Sequence, residues 1–237
     1  MEGSHLKFAT SEWLDGEKPV TWEFTAQNGK LTGVQKRPDV EGRIAAVHAP
    51  ALKRKPPAEW SDPEPIFNGK DLAGWKPDDA SKNNWKAIGG ELVNQAAGAN
   101  ILTTRSFDDF KLHIEYNCPD KGNSGVYLRG RYEIQVEYES AGTEDGFHGM
   151  GSIYGFLAPK ADLPRKPGEW ESFDVTLVGR TVTVVRNGVT TIQNQEIPGI
   201  TGGALNSREG APGPLLIQGD HTGGMKYRKI TIAVPKK

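Results

Sequence analysis

The chain has 237 residues, a formal net charge of -1 and 36% hydrophobic residues, enough for one sizeable domain plus an appendage. With 29 basic against 30 acidic side chains, no overall field draws in a phosphate backbone or an anionic membrane, so nucleic acid and lipid surfaces are not expected partners. No apolar run approaches the roughly 18 residues of a spanning helix, and the single cysteine, Cys118, excludes an intrachain disulfide and a cysteine-based metal cluster.

In chain order, Met1–His5 lacks the apolar core of a signal peptide and reads as an expression scar. Thr21–Thr25, Lys30–Val34 and Arg43–Val47 read as three short strands with a turn at Asn28-Gly29, too few to bury a core alone. Residues 1–49 are thus expected to be a β-strand appendage. Residues 50–65 hold five prolines around the basic run Lys53-Arg54-Lys55. Such a segment is extended and builds no core of its own, which places a linker at 50–63 and the main domain at 64–237.

Across that domain, closely spaced glycines and prolines and the scarcity of helical periodicity argue for strands and turns. Period-two alternation marks Phe110–Tyr116, Val126–Arg129, Tyr132–Tyr138, Phe173–Val178, Val182–Arg186, Leu215–Gln218 and Tyr227–Val234. Asn187-Gly188, between Val182–Arg186 and Val189–Ile192, is a hairpin signal because both central residues of a type I′ turn need positive φ. The expected fold is all-β, a two-sheet antiparallel sandwich of jelly-roll type. Its interface should hold Leu112, Ile114, Val126, Leu128, Ile134, Val136, Val175, Leu177, Val182, Val184 and Ile217.

The same alternation locates the polar face. It sends His113 and Glu115, Tyr127 and Arg129, and Glu133, Gln135 and Glu137 away from the core; Gln218 and Asp220 follow, with His221 at the strand end. A solvated outer face is the bland reading. The functional reading is a carbohydrate site, because long amides, carboxylates and an arginine match the donors and acceptors of sugar hydroxyls. Two glycine-bearing loops, Gly122-Asn123-Ser124-Gly125 and Gly146–Gly151 with His148, could approach a ligand closely, the second just before Tyr154. Gly149-x-Gly151 lacks the strand–loop–helix setting of a nucleotide fingerprint, and Trp170 is read as core. Glu115, Glu133, Asp220, His148 and His221 offer oxygen and imidazole ligands for a divalent ion, without compact spacing.

No Gly-x-Ser-x-Gly elbow and no His-Glu-x-x-His pair is present. Glu133-Ile-Gln-Val-Glu137 is similar to the Glu-x-Asp-x-Glu strand of laminarinase-type retaining glucanases, with glutamine in place of the central carboxylate. That likeness keeps conventional glycoside hydrolysis by paired carboxylates open.

An ordered series of motifs is more specific. It runs through Pro65-Ile-Phe-Asn-Gly-Lys-Asp-Leu-Ala-Gly-Trp75, Gly122-Asn-Ser-Gly-Val-Tyr-Leu-Arg129, Tyr132-Glu-Ile-Gln135, Ile153-Tyr-Gly155, Gly168-Glu-Trp170, Arg186-Asn-Gly188 and Gly213-Pro-Leu-Leu-Ile-Gln-Gly-Asp-His221. Over about residues 64–235 the chain resembles the 3-keto-disaccharide hydrolase family, which implies a concanavalin-like jelly roll, glycosides oxidised at C3 as substrates and an extracytoplasmic location. Thr222 and Lys229 stand where that family commonly has glycine and asparagine, at positions expected to lie off the polar face.

A C3 carbonyl acidifies the C2 proton, so abstraction and elimination can break the C1–O bond, with or without later hydration. Such a site needs a base (Glu133 or His148), an enolate stabiliser (Arg129 or a divalent cation) and an acid (His221 or Tyr154). Glu115, Asn123, Tyr127, Gln135, Gln218 and Asp220, with Tyr154, are the expected substrate-binding residues. A non-catalytic lectin-like module is the alternative, since the fold does not fix the function.

Overall fold

The computed structural model describes residues 4–11, 19–47, 52–139, 146–161 and 163–236, and the chain forms two compact units, Met1–Ala51 and Leu52–Lys237. In the first, β1 (Ser4–Ser11), β2 (Pro19–Gln27), β3 (Lys30–Lys36) and β4 (Glu41–Val47) make a four-stranded antiparallel sheet in chain order. β1 is additional to the three strands expected from the sequence. Its Leu6 and Phe8 lie opposite Phe24 and Trp22, and the Phe8, Trp22 and Phe24 rings stack at 6.1–6.2 Å, the cross-strand packing that favours sheet pairing. Ser4 and His5, read as part of a scar, therefore belong to a strand. Met1–Gly3 and the start of the expected linker, Pro50 and Ala51, lie outside the described residues.

The second unit is an antiparallel two-sheet sandwich. Its strands are β5 (Glu64–Pro65), β6 (Trp75–Pro77), β7 (Trp85–Ile88), β8 (Glu91–Asn94), β9 (Ile101–Thr103), β10 (Phe110–Asn117), β11 (Asn123–Leu128), β12 (Tyr132–Glu137), β13 (Trp170–Val178), β14 (Thr181–Arg186), β15 (Val189–Glu196), β16 (Leu216–Ile217) and β17 (Lys226–Ala233). An eight-stranded sheet has the order β15-β14-β13-β10-β17-β8-β7 with β5 beside β17; a five-stranded sheet has the order β12-β11-β16-β9-β6. All eleven expected interface residues are buried in one core, from Leu112 to Ile217. Asn187 and Gly188 take φ of 50° and 79°, the positive-φ turn conformation that asparagine tolerates and glycine, without a Cβ, adopts freely. At one end of the core Arg186 Nη2 meets Glu171 Oε2 at 2.7 Å, a buried ion pair that the inward parity of both residues requires. Cys118 is buried between β10 and β11, where burial pushes its thiol up to about 12.

Residues 52–63, within the extended linker expected from the sequence, are a strap lying against this unit. Leu52 is buried and its carbonyl accepts from the Arg180 amide at 3.3 Å; Arg54 Nη1 reaches Asp108 Oδ2 at 2.6 Å and Asp109 Oδ1 at 3.0 Å; Trp60 bridges to Pro235. Composition reports stiffness here but not the partners that one leucine and one arginine find.

Arg129 joins the same network. It has φ of 54°, so the strand alternation stops at Leu128 and the side chain does not continue on the outward face. It is fully buried, with Nη1 on Asp108 Oδ1 at 3.1 Å and Nη2 on the Gly179 carbonyl at 2.5 Å. Removing it strands these acceptors, so Arg129→Met should cost about 3 kcal/mol. The expected readout is a lower urea midpoint with an unchanged slope.

Candidate functional site

The outward face of β11 and β12 carries the chemistry. Register places Asn123 opposite Glu137, Gly125 opposite Gln135 and Tyr127 opposite Glu133, so these residues share one face while Val126, Ile134 and Val136 share the core. Asn123 to Gly125, expected as loop, opens β11. Gln218 arrives beyond β16, its amide donating to the Gly125 carbonyl at 2.9 Å.

Two loops cover this face by hydrogen bonding to β12. On one side the Gly151 amide donates to Gln135, the Gln135 amide to Ser152 and the Tyr154 amide to Glu133, at 2.8, 3.0 and 3.1 Å. Elsewhere along β12 the Glu133 amide donates to Thr201 Oγ1 at 3.0 Å, and the Thr201 and Leu205 amides return to Arg131 and Gly130. Glu133 and Gln135 are consequently 4% and 5% exposed, which replaces the solvated face of the bland reading with a buried polar one. Gly125 is the clearance that permits it. A Cβ there would collide with Glu133 Oε1.

The result is a cleft of about 280 Å³ that gathers Asn123, Tyr127, Glu133, Gln135, Tyr154, Gln218, Asp220 and His221, with Gly202 and Gly203 at its wall. The glycine pair was not singled out from the sequence, although it carries the same close-approach signal as the other glycine loops. His148 sits one step back, its ring edge-on to Tyr154 at 4.8 Å.

Three expectations are corrected. Arg129 lies in the buried network already described. Glu115 is on the outer face of the eight-stranded sheet, held by Arg228 Nε at 2.6 Å and Lys229 Nζ at 2.8 Å, because alternation separates inside from outside but not one outside from the other. Trp170 is on that same outer sheet, covered by the Arg228 guanidinium at 3.9 Å rather than packed in the core. The two departures from the family pattern also make contacts: Lys229 with Glu115, and Thr222 with the cleft, where its hydroxyl accepts from the Asn123 amide at 2.7 Å. Loss of Glu115 divides the proposed metal ligands, and among the described residues no three His, Cys, Asp or Glu side chains are placed to hold an ion. Glu133 and Glu137 line different cavities, unlike the single cleft that a retaining carboxylate pair needs.

Burial pushes the Glu133 carboxyl up to about 7, with the Asp220 charge acting the same way and the Tyr127 hydroxyl opposing. Burial and the Glu133 charge hold the Tyr127 phenol well above its ordinary value, so it remains a neutral donor. Its hydrogen has two acceptors, the Gly202 carbonyl at 3.0 Å and the Glu133 carboxylate. His221 Nδ1 meets Asp220 Oδ1 at 2.7 Å, and Gln135 Nε2 reaches Asn123 Oδ1 at 3.4 Å. Chemically the cleft offers a base poised near neutrality, an oriented imidazole and a set of amides and hydroxyls.

The family model described as the 3-keto-alpha-glucoside-1,2-lyase-like domain matches residues 62–233. Among solved structures, a Parabacteroides distasonis protein described as a "putative glycosyl hydrolase" is 31% identical, with a TM-score of 0.61 over 73% of this chain and 83% of its own. A second protein of that organism and description is 19% identical, with a TM-score of 0.59 over 70% of this chain and 91% of its own, a likeness of fold. No curated protein sequence matches.

A carboxyl raised from 4.5 to about 7 stabilises the fold below its unfolded value, and that contribution is lost as pH rises through the folded one. Glu133→Gln removes the charge that must otherwise be buried. The variant should therefore be more stable than the parent above pH 7, by up to roughly 3 kcal/mol, with the difference closing toward pH 4. Urea titrations at the two pH values measure it.

Proposed function

The chain belongs to the 3-keto-alpha-glucoside-1,2-lyase-like domain family, and from that membership we propose that the Glu133 cleft cleaves 3-keto-glycosides by removing the C2 proton and expelling the C1 oxygen substituent. The observation that carries the reading is the desolvated Glu133 carboxyl, raised to about 7 in a cleft otherwise lined by amides, hydroxyls and the Asp220–His221 pair. A carboxylate of that basicity is about half ionised near pH 7 and takes a carbon-bound proton more readily than an ordinary carboxylate does.

The steps follow from the residues. Glu133 accepts the proton from C2, and the electron pair moves onto the C3 oxygen as an enolate. The Tyr127 hydroxyl and the Gln135 and Gln218 amides are the donors available to that oxygen, replacing Arg129 in the role first expected of it. The enolate then collapses to a C1–C2 double bond as the C1–O bond breaks, and His221, oriented by Asp220, gives its proton to the leaving oxygen. Water adding across the double bond converts the lyase into a net hydrolase. Tyr154, buttressed by His148, and Asn123 hold the sugar. An extracytoplasmic location belongs to the same reading; no helix among the described residues is long and apolar enough to cross a membrane.

Aglycone release from a 3-keto-glucoside, with none from its unoxidised parent, is the expected result. Turnover in deuterated water should place deuterium at C2 of the hydrated product; its absence would mean direct displacement at C1 and end the elimination mechanism. Glu133→Gln should retain binding and lose at least ~10²-fold in kcat. In the parent protein the acid limb of kcat/KM should climb with pH and bend at about 7, as Glu133 becomes a carboxylate.

A further inference from the structure

The outer face of the eight-stranded sheet holds a second cavity, a groove of about 370 Å³ between that sheet and the strap at Trp60. Register assembles its floor from interior strands. One row runs Thr183, Thr176, Lys111 across β14, β13 and β10; the next runs Asp174, His113, Thr231 across β13, β10 and β17. His113 Nδ1 and Asp174 Oδ1 are 2.7 Å apart, a pair that fixes both groups in place. The wall is the half-buried Trp60 indole. Its backbone is tied to the sheet by the bridge to Pro235 and by the Ser61 amide donating to the Val234 carbonyl at 2.8 Å. The exposed Lys111 side chain rises from the floor and sets its ammonium over the indole, 5.4 Å from the ring centroid, a weak cation–π contact on the groove side of the ring.

We infer that this groove is a second carbohydrate site, binding neutral pyranose units of a glycan chain independently of the Glu133 cleft. A flat indole beside a floor of short hydroxyls and one carboxylate–imidazole pair suits a sugar ring. The ring displaces the flexible Lys111 ammonium, lays its C–H face on the negative face of the indole and turns its rim hydroxyls to Thr176, Thr231 and Asp174. A peptide finds less here. All four strands under the groove are interior to the sheet, so no backbone edge is open for strand addition. The ligand class follows from this wall and floor and needs nothing from the elimination mechanism.

The full-length protein is titrated with cellohexaose, laminarihexaose and xylohexaose, neutral probes carrying no keto group, with tryptophan fluorescence and calorimetry as readouts. At least one should bind saturably, and Trp60→Ala should weaken it about tenfold or more, with Asp174→Asn, a variant of unchanged shape, weakening it severalfold. Tyr154→Ala, which removes a sugar contact of the cleft, should bind the same probe as the parent does, and Trp60→Ala should turn over a small soluble 3-keto-glucoside at the parental rate. No saturable binding of any probe up to ~10 mM, the bottom of useful affinity, overturns the site. So does equal binding by the parent, Trp60→Ala and Asp174→Asn proteins, or binding lost only in Tyr154→Ala, which would place the probe in the cleft. A failed elimination test leaves these readouts untouched, so the two proposals fall separately.

Discussion

A carboxylate taken out of water on the outward side of a sheet sets the terms for everything around it. Glu133 is buried as deeply as a core residue although its strand parity faces solvent, and burying that charge is unfavourable unless it is neutralised or hydrogen-bonded. The protein uses both routes: the pKa rises to about 7, and Tyr127, opposite in register, supplies a hydroxyl. Keeping water out needs a cover, which the 151–157 and 201–205 loops provide by hydrogen bonding to the β12 backbone instead of leaving it as a bare edge. It also needs room, which Gly125 gives by having no side chain.

Much of this was legible because strands impose a period of two. The interface set and the outward parity of Tyr127, Glu133, Gln135 and Gln218 follow from alternation; that these four share one face follows from the pairing of β12, β11 and β16 in one sheet. Alternation fails where its premise fails. At Arg129 a positive φ ends the strand, and an expected site residue becomes a buried structural cation. Glu115 alternates correctly but faces the other side of the sandwich, and only the sheet order, with β10 in one sheet and β11 and β12 in the other, separates it from Glu133. The burial of the cleft was hidden for a different reason. Its cover comes from loop segments such as Thr201–Gly203, whose contacts with β12 cross long stretches of chain and leave no local pattern.

The strap shows the same limit from the opposite direction. Proline content marks 50–63 as extended, yet Leu52 and Arg54 dock with Gly179, Arg180 and the Asp108–Asp109 pair, while Trp60 closes one side of a groove. A segment without a core of its own thus becomes a wall for someone else's surface. Because the cleft and the groove lie on opposite sheets with a packed core between them, changes at one are energetically remote from the other.

Cys118 gives the molecule a built-in clock for its own opening. The thiol is sealed between β10 and β11, with Sγ against the Gly122 carbonyl at 3.5 Å, immediately before Asn123 brings the chain onto the cleft face. With its pKa pushed up to about 12 it is almost entirely protonated near neutrality, so a thiol reagent has neither access nor a thiolate to attack in the closed sandwich. Every alkylation event therefore counts an excursion in which the turn between β10 and β11 opens. In a chain with one cysteine, that count comes from a single place.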